Sequence, residues 1–417
     1  MSAADAHRAV EAVYRIEAPR LIAGLTRIVR DIGIAEELAQ DALVVALKQW
    51  PQTGVPRNAG AWLMTTAKRR ALDHFRHNRM AARKLDELAH EAETDLAEPD
   101  PDEALDDDVG DDLLRLMFTA CHPALSAEAR TALTLKLVGG LTTEEIARAF
   151  LVPEPTIAQR IVRAKRTLAE AGLPFEVPRG ADRDARLASV LEVIYLTFNE
   201  GYAATAGEEW LRHELCDEAL RLGRILSGLA PNEPEVHGLV ALMELQASRL
   251  AARTDAAGEP ILLLDQDRGR WDQLLIRRGF AALARAEALG RTAGPYTLQA
   301  AIASCHARAR DAAQTDWGQI AALYAALAAL TPSPIVELNR AVAISMADGP
   351  AAGLALVDAL LDAPALKTYH LLPSVRGDLL LKLGRPAEAR AEFTRAAGLT
   401  RNAREKSLLE ARAAACG

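Results

Sequence analysis

The chain has 417 residues, half of them apolar, 4% aromatic and 25% charged, with a formal net charge of -8. That length exceeds what one hydrophobic core organises, so about two to four domains are expected. No stretch approaches the roughly 20 uncharged apolar residues of a membrane span. The N-terminus, with Asp5, His7, Arg8 and Glu11, lacks a signal-peptide apolar core, so a cytoplasmic protein is expected.

Alanine, leucine, arginine and glutamate fill long stretches without strand-like runs of valine, isoleucine and threonine, which predicts an all-α fold. Cys121, Cys216, Cys305 and Cys416 are far apart and form no CxxC or Cys/His cluster. Neither a metal site nor a disulfide framework follows from them, and reduced, mostly buried thiols are expected. The net negative charge argues against nucleic acid, but the average hides a segregation. Thr65 to Lys84 carries seven Lys/Arg against one acid, Asp73, whereas Asp86 to Asp112 carries fourteen Asp/Glu and no Lys/Arg.

In chain order, residues 5–80 read as amphipathic helices: Val10, Val13, Tyr14 and Ile16, then Leu21, Ile22, Leu25, Ile28 and Val29 recur at helical spacing. Within Asp31 to Leu47, Ala35, Leu38, Ala42, Val45 and Ala46 give an inward face. Glu36, Glu37, Gln40 and Asp41 offer an acidic outer face to a basic partner helix, although a solvated helix would read the same way. Pro51, Gly54 and Pro56 break the pattern before a helix carrying Trp62, Leu63, Ala67, Leu72 and Phe75. From Ala61 to Arg79 this helix interleaves aromatics with Lys68, Arg69, Arg70, Arg76 and Arg79. Such a surface tracks phosphates and stacks on unpaired bases, unless Trp62 and Phe75 are core and the charges merely solvate. The acidic stretch 86–112, with Pro99 and Pro101, repels itself and reads as a flexible tether.

A second helical block follows from Leu113 to about Gly172, and it holds the sharpest local pattern. Thr142 to Phe150 places Ile146, Ala147 and Phe150 on one stripe; Pro155 to Leu168 places Ile157, Ile161 and Leu168 on another, which is helix-turn-helix spacing. Thr156, Gln159, Arg160, Arg163 and Arg166 are left for base edges and phosphates of a major groove, and Pro155 is tolerated near the helix start. An ordinary antiparallel helix pair with a basic face is the bland counterpart. After Pro174, Pro178 and Gly180 come more than 230 residues of helical segments separated by turns such as Thr331-Pro332-Ser333-Pro334 and Asp348-Gly349-Pro350. Leu379 to Ala389, followed by Phe393, Ala396 and Ala397, resembles one tetratricopeptide unit with Gly384 in its turn.

These three pieces in this order, parted by an acidic linker, resemble the alternative sigma factors of the extracytoplasmic-function (ECF) class. The segment Ala35 to Asp41 resembles the polymerase clamp-binding helix, which implies polymerase contacts by Glu36, Glu37, Gln40 and Asp41. Trp62 to Arg79 resembles the helix that reads and melts the minus-10 element, implying roles for Trp62, Lys68, Arg69, Arg70, Asp73, His74, Arg76 and Arg79. Residues 126–169 resemble the domain that reads the minus-35 element, implying DNA contacts by Pro155, Thr156, Gln159, Arg160, Arg163 and Arg166. The strings Tyr195 to Tyr202, Asp265 to Asp272, Gly294 to His306 and Leu338 to Ala343 resemble the subgroup with a long tetratricopeptide-like C-terminal domain.

The resemblance implies a region 2-like domain at 1–80, an acidic linker at 81–112, a region 4-like helix-turn-helix domain at 113–175 and a tetratricopeptide-like helical array at 185–417. The expected partners are core RNA polymerase, promoter DNA, and a protein partner or the chain's own N-terminal domains for the array; no membrane is implied. Two departures bear on promoter specificity: Arg69 stands where many members have asparagine, and Leu151-Val152-Pro153 replaces the usual Gly-Val-Ser-type turn. The chief rival is a helix-turn-helix regulator that binds operators as a dimer and senses a ligand through its C-terminal array. No P-loop, glycine-rich dinucleotide turn or nucleophile elbow is present, and the clusters His213/Glu214/Cys216/Asp217 and Asp265/Asp267/Arg268/Asp272 read as salt-bridging groups. No enzymatic activity, cofactor or metal is expected.

Overall fold

The computed structural model describes residues 3–86, 109–150, 152–204, 206–207, 210–290 and 292–416. Among them the chain forms eighteen α-helices, short 3-10 turns and one parallel pair of two-residue strands, Ala206–Gly207 with Arg401–Asn402, so the all-helical expectation holds. No helix of the described residues is long and apolar enough to cross a membrane. The chain divides into two units, Met1–Val193 and Ile194–Gly417.

The first unit contains α1 (Ala3–Val29), α2 (Ile32–Thr53), α3 (Ala59–Asp86), α4 (Val109–Ala120), α5 (Ala127–Leu137), α6 (Thr143–Phe150), α7 (Glu154–Glu170) and the beginning of α8 (Gly180–Tyr202). Ala18, Leu21, Ile22 and Leu25 bury one stripe of α1 against α2 and α3. Ile16, nine residues before Leu25, is two and a half turns away and so faces solvent. Asp31 starts α2 by accepting the Ile34 amide at 2.9 Å, which satisfies one of the amides a helix start leaves unpaired.

The expected second block is not separate from the first. Helix α4 packs on α1, where the nearly inaccessible Asp112 pairs with Arg27 at 3.2 Å and with Arg115 at 2.6 Å. The first part of α8 also belongs here. Arg186 donates to the Phe118 carbonyl at 3.0 Å, Ser189 donates to the Cys121 carbonyl at 2.6 Å, and Arg130 pairs with Glu192 at 3.2 Å. Residues 186–192 thus complete the core begun by α4 and α5. Both edges of the 81–112 segment are helical, because α3 continues to Asp86 and α4 begins at Val109. Its middle, residues 87–108 with most of the fourteen acids, lies outside the described residues.

The second unit continues through α9 (His213–Leu229), α10 (Pro234–Ala247), α11 (Gln273–Leu289), α12 (Pro295–Arg308), α13 (Trp317–Leu330), α14 (Pro334–Asp348), α15 (Pro350–Asp358), α16 (Leu371–Lys382), α17 (Pro386–Leu399) and α18 (Ala403–Ala414). Each helix packs on its successor, which makes a helical array. Proline opens α10, α12, α14, α15 and α17, positions where its missing amide costs no hydrogen bond and its fixed φ suits the first turn. Gly384, between α16 and α17, adopts φ +72°, the left-handed conformation glycine tolerates, as the turn reading requires. A Cβ on Gly377 would lie 2.9 Å from the Phe393 ring, so only glycine lets α16 and α17 approach this closely.

All four cysteines are free and buried. Burial pushes the Cys121 and Cys216 thiols up to about 12. At pH 8 roughly one in 10,000 of these groups is the reactive thiolate, by the logarithmic scale of proton binding. Native protein at pH 8 should therefore leave Cys121 and Cys216 unlabelled by iodoacetamide, and denatured protein should take up label at both. Fast labelling of either site in the native state, read by peptide mass spectrometry, would contradict this packing.

Candidate nucleic-acid and polymerase interface

Helix α6 is started by a reciprocal cap. The Glu145 amide donates to Thr142 Oγ1 at 3.1 Å, and the Glu145 side chain returns to accept the Thr142 amide at 2.7 Å. Ile146 and Ala147 are buried on α6; Ile157, Ile161, Ala164 and Leu168 are buried on α7. The apolar stripes read from the sequence are therefore the faces by which the two helices join the core. The turn holds Val152 and Pro153, which precede α7, with Pro155 in the first turn; Leu151 lies outside the described residues.

With one face of α7 committed, the other is fixed. Pro155, Thr156, Gln159, Arg163 and Arg166 are exposed and Arg160 is half-buried. Val162, 64% exposed, interrupts them with an apolar patch. Arg166 and Glu170 form an exposed pair at 3.4 Å, a contact worth only about 0–1 kcal/mol and readily exchanged for a phosphate. The row thus offers amide, hydroxyl and guanidinium groups on one helix face, the donor set that reads a major groove.

Helix α3 is capped by Asn58, which accepts the Ala61 amide at 3.0 Å. Leu63, Ala67 and Ala71 bury its inner face. Leu72, nine residues after Leu63, is turned about 180° away and is 50% exposed, and Phe75 is 39% exposed, so Phe75 lies on the basic surface and not in the core. Trp62 is half-buried and meets the inaccessible Trp50 edge-on, with ring centroids 5.1 Å apart and planes at 65°. That contact holds the indole against the core while the residue as a whole stays half-buried. His74 packs edge-on against Phe75 at 6.3 Å. Lys68 is half-buried, while Arg69, Arg70, Asp73 and Arg76 are exposed; Arg76 lies 3.7 Å from Asp73 and Arg70 lies 3.7 Å from Asp41 of α2. The side chain of Arg79 lies outside the described residues.

On α2 the expected acidic outer face divides. Glu37, Gln40 and Asp41 are exposed, but Glu36 is only 5% exposed and faces the chain's own helices. Lys165 of α7 donates to it, Lys136 of α5 approaches to 3.9 Å, and Gln40 donates at 3.0 Å. The expectation of an exposed Glu36 is corrected for a physical reason. A carboxylate shielded from water is tolerable only with charged partners, and α5 and α7 supply two ammonium groups. Its charge also raises the Tyr14 hydroxyl above its ordinary range, secondary to that side chain's own burial. Sequence reasoning missed Lys136 and Lys165. Lys165 sits within the basic helix, and only the buried phase of Ile161, Ala164 and Leu168 sets it apart from the outward arginines.

Residues 13–80 match the Sigma-70 region 2 family, residues 115–168 match Sigma-70 region 4, and residues 186–287 match DUF6596, a family of unknown function. An uncharacterized protein of Rhizobium meliloti is 46% identical over 393 residues, which span 94% of this chain and 92% of that protein. The ECF RNA polymerase sigma factor SigK of Mycobacterium bovis is 31% identical over 149 residues, 34% of this chain and 74% of SigK. The probable ECF RNA polymerase sigma factor SigI of Mycobacterium tuberculosis is 28% identical over 175 residues, 41% of this chain and 58% of SigI. No solved structure matches the chain.

Replacing Lys165 with alanine should leave the buried Glu36 carboxylate with Lys136 and Gln40 alone. The expected cost is about 1–3 kcal/mol of stability in urea unfolding, less than for a wholly unpaired buried charge because one ammonium remains. The added substitution Glu36→Gln should restore much of it. An unchanged unfolding midpoint in Lys165→Ala would mean that this contact does not hold α2 to α7.

Proposed function

The chain belongs to the ECF RNA polymerase sigma factors, and on that premise we propose that α2, α3 and α7 divide the work of promoter recognition among named residues. As a sigma factor it is a transcription initiation factor and not an enzyme; core RNA polymerase and promoter DNA are its partners. The observation that carries the division of roles is the outward row of Thr156, Gln159, Arg163 and Arg166 on a helix whose opposite face is buried.

In this reading α7 enters the major groove of the minus-35 element, with Pro155 at its leading turn and Arg160 at the groove wall. Helix α3 takes the minus-10 element. Arg69, Arg70, Arg76 and Arg79 neutralise phosphates, Lys68, Asp73 and His74 flank the strand, and Trp62 with the exposed Phe75 receives unpaired bases. Glu37, Gln40 and Asp41 meet a basic surface of the polymerase clamp, and Glu36 joins them once released. The acidic run between α3 and α4 occupies a basic polymerase channel, where its carboxylates imitate nucleic acid; Asp112, clasped by Arg27 and Arg115, takes no part. The C-terminal array is the tetratricopeptide-like domain of its subgroup and regulates the factor or docks a partner.

Length supports one further step. Elements centred near minus-10 and minus-35 lie about 25 base pairs apart, roughly 85 Å at 3.4 Å per pair. Glu36 of α2 and Lys165 of α7 are in direct contact, so region 2 and region 4 must part before both elements are occupied. The pair at Glu36 is therefore broken on the way to the promoter complex.

Co-purification with core polymerase tests the clamp assignment. Glu37→Lys combined with Gln40→Ala should cut retention on tagged core enzyme by about tenfold or more, in line with reversal of a charge at an interface. Retention at the level of the unaltered chain, with helicity intact, would remove α2 from the interface. In vitro transcription tests the array: a chain ending after Tyr202 should give promoter output at least about threefold different from the full chain, since regulatory coupling is typically worth 1–3 kcal/mol. Equal output from the two proteins would exclude regulation in cis.

A further inference from the structure

Three arginines of the C-terminal unit sit together on aromatic rings, and among the described residues none of them is ion-paired with an acid. The Arg253 guanidinium carbon lies 3.6 Å from the centre of the Tyr202 ring and 5.1 Å from that of Trp210. Arg249 lies 5.7 Å from the same Tyr202 ring and 5.7 Å from Trp271, whose ring is also 4.9 Å from Arg268. Tyr202 and Trp271 thus join the three cations into one row, with Arg249 in the middle.

The hydrogen bonds of these arginines go to neutral groups. Arg249 donates to the Tyr202 hydroxyl at 2.7 Å and to the Gln246 side chain. Arg268 donates to the carbonyls of His306 at 2.6 Å and Ala309 at 2.8 Å and to Thr315 Oγ1 at 2.9 Å. Arg253 is only 8% exposed, yet its Nε has no partner. Among the described residues none of the three forms an ion pair. Nearby acids are used elsewhere: Asp267 accepts the Gly269 amide, Asp272 accepts the Leu274 and Leu275 amides at the start of α11, and Asp311 accepts the Gln314 amide. All three aspartates are exposed.

Clustered cations with only the exposed Asp311 acting against them at Arg268 raise the local potential, and neighbouring groups register it. Burial, opposed by Tyr202 and aided by Arg253, holds Arg249 below the ordinary arginine range; burial, opposed by Asp311 and aided by Arg249, does the same to Arg268. His306, 9% exposed, is pushed down to about 3 by burial and by Arg249 and Arg268, so its ring is neutral at physiological pH, and its Nδ1 has no partner. Cation–π contact with the Tyr202, Trp210 and Trp271 rings offsets part of the cost. It leaves like-charge repulsion and the unused donors of Arg253 in place.

We propose that Arg249, Arg253 and Arg268 form a binding site for a small phosphate-bearing anion. Guanidinium forks match the spacing of phosphate oxygens, and a dianion neutralises two of three cations where a monocarboxylate neutralises one. Trp210, Tyr202 and Trp271 form the walls that hold the forks in place. Three of the unusual strings in the sequence converge here: Tyr195 to Tyr202 supplies Tyr202, Asp265 to Asp272 supplies Arg268 and Trp271, and Gly294 to His306 supplies His306. The site stands independently of the promoter roles assigned above.

Isothermal titration of the full-length protein with inorganic phosphate, at constant ionic strength and with succinate as the carboxylate control, tests the site. Saturable phosphate binding should weaken at least tenfold in Arg253→Gln and stay unchanged in Arg278→Gln, an exposed arginine of α11 outside the cluster. Should Arg253→Gln lose its helical circular dichroism, Arg249→Lys keeps the charge and removes the fork, and the same tenfold loss is expected. Absence of saturable binding, equal binding in wild type and cluster variants, or succinate binding as tight as phosphate would each overturn the proposal.

Discussion

The arrangement of the N-terminal unit turns on a single shielded carboxylate. Glu36 is held between Lys165 of the reading helix, Lys136 of α5 and Gln40 of its own helix. Exposed pairs such as Arg70 with Asp41 contribute about 0–1 kcal/mol and direct nothing, whereas a carboxylate removed from water demands its partners. The position of α7 relative to α2 is therefore specified by charge as well as by apolar packing. Asp112, inaccessible and clasped by Arg27 and Arg115, does the same for α4 against α1. Two buried acids, on elements far apart in sequence, make one body of what the sequence presents as two blocks.

Once that body is set, the faces left over are the functional ones. Leu63, Ala67 and Ala71 turn inward on α3, which turns the basic and aromatic residues outward; Ile157, Ile161, Ala164 and Leu168 do the same on α7. The C-terminal unit is built on a different rule. Small residues and prolines at helix starts let each helix lie close on the next, as at Gly377 against Phe393. Shielded ion pairs occur here too, Arg212 with Glu200 at 2.6 Å and Arg376 with Glu392 at 2.7 Å, and the row Arg253, Arg249, Arg268 departs from them because its hydrogen bonds go to neutral groups.

The fold class and the face of α7 were legible because both rest on periodicity. The buried positions at 157, 161 and 168 follow from a 3.6-residue repeat with no knowledge of what they touch. For Phe75 the sequence left a surface and a core position both open, because hydrophobicity marks what a core accepts, whereas the angle around the helix decides what reaches it. Glu36 could not be assigned locally. Its neighbours Glu37 and Asp41 share its chemistry, and its burial depends on Lys165, which is 129 residues away. Arg249 and Arg253 were missed for the same reason: they lie outside the unusual strings, and only the tertiary fold brings those strings around them. The division into blocks read from the acidic run differs from the packing because charge density marks where a chain resists collapse and not which flanking helices meet.

The placement of sulfur has a consequence for the kinds of stimulus this factor can register. Oxidation to a sulfenic acid requires an accessible thiolate, and Cys121, Cys216 and Cys305 are each buried with the thiol held above its ordinary range, while Cys416 is buried near the C-terminus. Peroxide or a mixed disulfide reaches these sulfurs only after a helix has come away from its neighbours. In the native protein, oxidised cysteine is thus a record of damage to the fold, and any environmental cue that acts on it must enter by other chemistry.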